Sequence, residues 1–247
     1  MSGCVKELGT KSKGIKKDGF YIKSINNKEE SIAELNNEIK ILQILNDFGF
    51  KYGPIMKEFK KNEYIKLEYI NGQTLSEYIK RKPEFLKDRK KIAQNISRSL
   101  HDFYQKNLFH NDLAVTNIML TSTNEINLID FGRSNKSGSI YYDFGYLLNS
   151  IIKVRTSKSN VKNLSAIFLK ISFFLDIAND FFCKKMKKSF AISIFNILRE
   201  YVYFELYVIK NRNFTRKEKK IFFLSMILVT IMTFPIALLK IMLKKIM

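Results

Sequence analysis

Three side chains stand at spacings that could do chemistry. The stretch 109–120 reads FHNDLAVTNIML, with Asp112 and, five positions on, Asn117. A second apolar run then ends in Asp130-Phe131-Gly132. Carboxylate and carboxamide oxygens are hard donors of the kind a divalent cation prefers. Gly132 lets the backbone turn directly after the second carboxylate. Apolar strand-type residues, Ile118-Met119-Leu120 and Leu128-Ile129, fill the gap, so the three groups can be brought to one place. His110 reads as an organiser of its loop rather than a base, and His101 as a packed or capping histidine.

The elements that must hold these groups divide into two kinds. Phe20–Ile25 follows a Lys-Asp-Gly turn and reads as a strand. Residues 31–45 carry Ile32, Leu35, Ile39, Leu42 and Leu45 at helical spacing. Residues 54–59 and 64–70 read as two further strands. A helix begins at residue 74, capped by Thr74 or Ser76, and another covers 89–105. A strand–loop region fills 108–132, and from Asp143 onward the pattern is helical. A small β-rich unit followed by a larger helical one is an α+β plan. The divisions are 1–70, 71–209 and 210–247.

The pattern H-x-D-x-x-x-x-N followed by D-F-G resembles the catalytic loop and metal-binding motif of the protein-kinase-like superfamily. The resemblance covers about residues 1–155 and implies a two-lobed kinase fold that binds ATP and magnesium. It implies that Asp112 orients an acceptor hydroxyl and takes its proton, and that Asn117 and Asp130 hold magnesium on the ATP phosphates. Lys23 looks like the lysine that meets the α- and β-phosphates. Glu38 looks like its helix partner, with Glu34 as the rival one turn away. The run 67–72 (LEYING) resembles the hinge, so the backbone of Glu68 and Ile70 would meet the adenine edge. Met119 would lie under the adenine ring, or be plain core. Asp143 resembles the aspartate that braces the catalytic loop.

The chain also departs from the pattern. Only Gly3-Cys4-Val5 resembles the end of a glycine-rich phosphate loop, and the strand ahead of it is missing. Either the lobe is minimal or the chain begins inside that loop. Ala114 and Thr116 stand where protein kinases place a lysine or arginine, and Asn111 replaces the usual arginine. Only ten residues, 133–142, separate Gly132 from Asp143, too few for a peptide-docking segment. These features resemble compact relatives: lipopolysaccharide sugar kinases of the Kdo and heptose type, small-molecule phosphotransferases and RIO-like atypical kinases. The acceptor implied is a hydroxyl of an envelope sugar or glycolipid. The alternatives are an atypical protein serine/threonine kinase and a kinase-like pseudoenzyme at a membrane.

Charge bears on where such an enzyme works. The 247 residues carry 43 Lys/Arg against 23 Asp/Glu, a net +20. The last 67 hold 14 basic and three acidic residues, so more than half of the excess lies there. Within them, residues 221–239 (IFFLSMILVTIMTFPIALL) carry no charge and would make a helix of ~28 Å, near the thickness of a bilayer core. Pro235 interrupts it. Lysines bracket the segment, which points to an anionic membrane surface and to the cytoplasmic face of a membrane. A buried C-terminal helix is the rival reading. No nucleic-acid motif accompanies the charge, so nucleic acid is an unlikely partner. Two cysteines cannot build a disulfide framework or a zinc cage alone. Oligomeric state is not legible.

Overall fold

The structure is a computed structural model. It describes residues 5–6, 12–25, 29–81, 87–154 and 164–211, together with 215, 223–224, 226–231, 233, 235 and 237.

The first lobe is a five-stranded antiparallel sheet in the order β1-β2-β3-β5-β4. Its strands are β1 (Val5–Lys6), β2 (Ser12–Lys17), β3 (Phe20–Ile25), β4 (Met56–Lys60) and β5 (Tyr64–Glu68). Asp18 and Gly19 join β2 to β3, both at positive φ (49° and 78°), the turn whose twist suits a two-residue hairpin. That turn sets the register, with Ile15 opposite Ile22 and Gly14 opposite Lys23. Helix α1 (Glu29–Asp47) packs on the sheet through Leu35, Ile39, Leu42 and Leu45. It ends at Gly49 (φ 65°), where the Phe50 N–H reaches back to the Leu45 carbonyl at 2.9 Å.

The register corrects one expectation. A first strand is present, and Val5 lies on it, paired with Ile15. Val5 is therefore not on the return side of a phosphate loop, and Gly3 lies outside the described residues. The segment joining β1 to β2 is residues 7–11, and Gly14 is the third residue of β2. A Cβ on Gly14 would lie 2.0 Å from the Tyr21 hydroxyl, so any side chain there would have to displace that ring. Gly9 and Gly14 bracket a polar run and are the better candidates for the phosphate-loop glycines. The signal was the G-x-x-x-x-G spacing, with its second glycine nine residues before Lys23.

After β5 the chain crosses to a three-stranded sheet of β6 (Gly72–Thr74), β7 (Ile118–Thr121) and β8 (Ile126–Leu128). Gly72 is a close-approach position: an added Cβ would stand 2.2 Å from the Leu120 carbonyl oxygen. Gly72→Ala is expected to destabilise the fold by ~1–3 kcal/mol. Urea unfolding checks this, and an unchanged midpoint would refute the clash. Thr74, not Ser76, caps α2 (Leu75–Lys80): its hydroxyl accepts the Glu77 N–H at 3.2 Å while Glu77 accepts the Thr74 N–H at 2.9 Å.

The helical lobe contains α3 (Arg89–Tyr104), α4 (Ile140–Lys153), α5 (Leu164–Asn179), a π-helical turn at Asp180–Lys185 and α6 (Phe190–Asn211). Helix α4 starts three residues before Asp143, because the Ser139 hydroxyl accepts the Tyr141 N–H and caps it there. The core of this lobe is aromatic, with Phe103, Phe131, Phe144, Phe173, Phe174, Phe181 and Phe182 all fully buried.

Most of 210–247 lies outside the described residues. Those described between 223 and 237 are helical. Met226, Val229, Thr233 and Ala237 are buried, three to four residues apart, while Phe223, Leu224, Ile227, Leu228 and Ile231 are exposed. Apolar residues thus occupy both the packed and the open face. Among the described residues no helix is long and apolar enough to cross a membrane.

Candidate active site

The centre of the site is an ion-pair network. Lys23, on β3, places its Nζ 2.7 Å from Glu38 Oε2 and 2.8 Å from Asp130 Oδ1. Glu38 is 1% exposed and lies on the buried face of α1, where a carboxylate needs a partner. Its other oxygen accepts the Phe131 N–H at 3.3 Å. Burial opposes the Lys23 ammonium, but Glu38 and Asp130 outweigh it and hold the pKa above the ordinary lysine range. Burial pushes the Glu38 carboxyl up against the pull of Lys23. Burial also acts on Asp130, yet Lys23 overcomes it and holds that carboxyl below its usual range. The rival Glu34 is engaged elsewhere, with Arg133 Nε at 3.3 Å.

The catalytic-loop segment hangs from Asp143. This buried carboxylate accepts the His110 N–H at 2.9 Å, the Asn111 N–H at 2.8 Å and the Tyr104 hydroxyl at 3.0 Å. Burial pushes its pKa up, and the His110 and Tyr104 contacts oppose that. Asn111 has φ 58°, a left-handed conformation that asparagine tolerates better than most residues. Its amide also reaches the Arg133 carbonyl at 3.3 Å. His110 packs against Phe103 and Phe131, and its Nε2–H donates to the Ile129 carbonyl at 3.2 Å. It is therefore an organiser, tying the loop to the strand that carries Asp130.

Asp112 and Asn117 are linked directly. The Asn117 amide nitrogen donates to the Asp112 carbonyl at 2.9 Å, which leaves its carboxamide oxygen as the ligand-type atom. The Asn117 carbonyl in turn accepts the Ile129 N–H at 3.0 Å, next to Asp130. Asp130 is at φ 62°, strained for an aspartate, and its carboxylate is 47% exposed. One carboxylate and one carboxamide fit magnesium, which typically takes few protein oxygens and completes its shell with water and phosphate.

The remaining candidates surround this centre. The Glu68 N–H bonds the Ile55 carbonyl at 2.9 Å and the Tyr69 N–H bonds Gly19 at 3.1 Å, which tethers the crossing to the first sheet just before Ile70. The Glu68 side chain pairs with Lys57. Met119 is half-buried on β7, opposite Thr74 and Asn127.

Two residues beside Asp112 were not legible beforehand. Burial, and then the nearby charge of Asp112, push the Tyr146 phenol up to about 12. Arg133 has its pKa raised, against burial, by the charge of Asp112 and by Glu34. Nothing local in the sequence marks Tyr146, because its position depends on how α4 meets the loop.

A sequence profile described as the protein kinase domain matches residues 2–144. The chain belongs to that family. Among individual proteins, it is 32% identical over 115 residues to the probable serine/threonine-protein kinase fnkB of Dictyostelium discoideum, covering 46% of this chain and 21% of fnkB. It is 28% identical over 95 residues to the KEOPS complex subunit Bud32 of Pyrococcus abyssi, covering 38% of this chain and 42% of Bud32. A solved structure of WbdD with the kinase inhibitor LY294002 superimposes with a TM-score of 0.50 at 18% identity, over 78% of this chain and 49% of that one. That likeness shows the fold alone. The chain spans less than half the length of each of these relatives.

Proposed function

We propose that this protein is an ATP- and magnesium-dependent phosphotransferase that phosphorylates a hydroxyl of an envelope sugar or glycolipid at the cytoplasmic face of a membrane. The observation that carries the kinase reading is the closed Lys23–Glu38–Asp130 network beside the linked Asp112 and Asn117. Lys23 would hold the α- and β-phosphates, with the backbone of Glu68 and Ile70 on the adenine edge and Met119 beneath it. Asn117 and Asp130 would hold magnesium, which neutralises phosphate charge. Asp112 would orient the acceptor hydroxyl and take its proton.

The acceptor class rests on two supports. Helix α4 begins at Ile140, so only residues 133–139 follow Gly132 before it. Asn135 bridges to Phe109 and Ser139 caps the helix, which leaves no free segment to seat a peptide. The second support is surface chemistry. Ile192, Phe195, Tyr203, Leu206 and Tyr207 on α6 are exposed, as are the apolar residues at 223–231, and Lys184, Lys185, Lys187 and Lys188 precede α6. Exposed apolar surface with basic neighbours suits an anionic bilayer.

The test is transfer of the labelled γ-phosphate of ATP to purified lipopolysaccharide precursors, with Asp112→Ala as control and a general protein substrate as a second acceptor. Magnesium-dependent labelling of the glycolipid by wild type alone is expected. Equal labelling by the variant removes the catalytic reading. Labelling of protein only replaces the sugar acceptor with the atypical protein-kinase reading, which the similarity to fnkB favours.

A further inference from the structure

The groups around Asp112 form more than a catalytic residue with incidental neighbours. Tyr142 and Tyr146 stand one turn apart on α4, with ring centroids 6.4 Å apart and planes 28° from parallel. Tyr146 meets Phe204 of α6 edge-on at 4.9 Å. The two helices come this close because Gly145 faces α6: an added Cβ would lie 3.0 Å from the Tyr201 nitrogen. Lys153 pins them further, 3.0 Å from the buried Glu205. Tyr207, 64% exposed, follows Phe204 by three residues, one helical turn along α6. Arg133, its side chain 50% exposed, is tied beside Asp112 through its carbonyl, which accepts the Asn111 amide at 3.3 Å.

A packing role alone would bury these rings, yet Tyr142, Tyr146 and Phe204 are half-exposed. Aromatic faces beside phenol hydroxyls suit a ring with apolar C–H faces and a rim of hydroxyls. A guanidinium suits a carboxylate or phosphate, which it can grip through two parallel hydrogen bonds. We infer that Tyr142, Tyr146, Phe204 and Tyr207, with Arg133 at the edge, form the acceptor subsite, and that its occupant is a saccharide ring bearing a negative charge. This rests on reading Asp112 as the residue that faces the acceptor. Tyr146 is a positioning residue: it shares a helix turn with Asp143, which holds the Asn111 N–H at 2.8 Å beside Asp112, and its ring supports the sugar. Arg133 is a specificity residue: its guanidinium, held 3.3 Å from Glu34 Oε1 by Nε alone, keeps further N–H groups for an acid.

Binding tests the subsite without relying on turnover. The whole protein is titrated with galacturonate and with neutral galactose, and saturation-transfer NMR reads contact between sugar ring protons and the protein's aromatic protons. Galacturonate is expected to bind more tightly than galactose. Tyr142→Ala and Tyr207→Ala should each weaken it roughly tenfold, and Arg133→Gln should erase the preference for the acid while sparing galactose. Tyr146→Phe keeps the packed ring; it should leave sugar binding near wild type and the KM for ATP unchanged, and lower kcat. Because Arg133 and Tyr207 are exposed, their variants should melt with wild type, so a loss of binding is not a loss of fold. The same acidic sugar displayed on a lipid in vesicles separates a free acceptor from a lipid-borne one, the tighter form naming the source. No sugar binding by wild type, or equal binding by wild type and the Tyr142, Tyr207 and Arg133 variants, overturns the subsite. Sugar binding with phosphoryl transfer that persists in Asp112→Ala leaves the subsite standing and removes the catalytic reading instead.

Discussion

Asp112→Asn is expected to lower kcat for phosphoryl transfer by about 10²- to 10⁴-fold, the range a positioned general base contributes. The KM for ATP and the melting temperature should hardly change. The reason is that the loop does not depend on the Asp112 carboxylate. Asn117 is anchored to the Asp112 main-chain carbonyl, and the loop itself hangs from Asp143. The asparagine is isosteric, so it fills the same space. What disappears is the capacity to take the acceptor's proton and the charge that orients the hydroxyl. Steady-state kinetics on the acceptor that labels best, with a thermal melt of the same samples, separates these terms. A variant with wild-type kcat would show that Asp112 is not the base. One with lower kcat and a much lower melting temperature would show that the carboxylate also supports the fold.

Much of this site was legible because its parts are local. His110, Asp112 and Asn117 lie on one short loop, and Asp130 follows two short strands, so the spacing carries the resemblance to the kinase motif that places them together. Lys23 and Glu38 were harder to assign, being fifteen residues apart in a lysine-rich chain. Strand and helix periodicity set both facing inward, and the 1% exposure of Glu38 explains why it, and not Glu34, takes the lysine. The phosphate-loop reading failed for a physical reason. Gly3-Cys4-Val5 matched a local pattern, but register is fixed by a turn elsewhere. The two-residue Asp18-Gly19 hairpin counts β2 back from β3, and that puts Val5 one strand early. Tyr146 and Arg133 were missed because neither belongs to a motif. They come beside Asp112 only once Ser139 has capped α4 and Asn111 has been tied to Asp143 and to the Arg133 carbonyl.

Removing Lys23 should have the second largest effect, and it should show in stability as well as activity. Lys23→Met leaves Glu38 buried without its cation, and breaking a buried pair in this way costs about 3–5 kcal/mol. The penalty should depend on pH with a definite sign. Burial already pushes the Glu38 carboxyl up, and Lys23 is the charge that restrains it. Without the ammonium its folded pKa moves further above the unfolded value of about 4.3. Between those two values the folded variant holds a proton that the unfolded chain has released. Stability of the variant relative to wild type should therefore fall as pH rises through that window, and recover below the unfolded value, where Glu38 is protonated in both states. Asp130 works the other way in wild type, since Lys23 holds its carboxyl down. The stability it contributes is present above its unfolded pKa of about 3.9 and is lost as pH falls through the folded value; that contribution disappears with the lysine. Adding Glu38→Gln to Lys23→Met removes the stranded carboxylate. The double variant should regain most of the stability and its flat pH profile while phosphoryl transfer stays lost, because the ammonium proposed to contact the phosphates is still absent. Urea unfolding of the three variants and wild type between pH 4 and 8 reads the whole cycle. A Lys23→Met variant as stable as wild type across that range would mean that Glu38 is satisfied without the lysine. A double variant that recovers activity along with stability would remove Lys23 from the phosphate site.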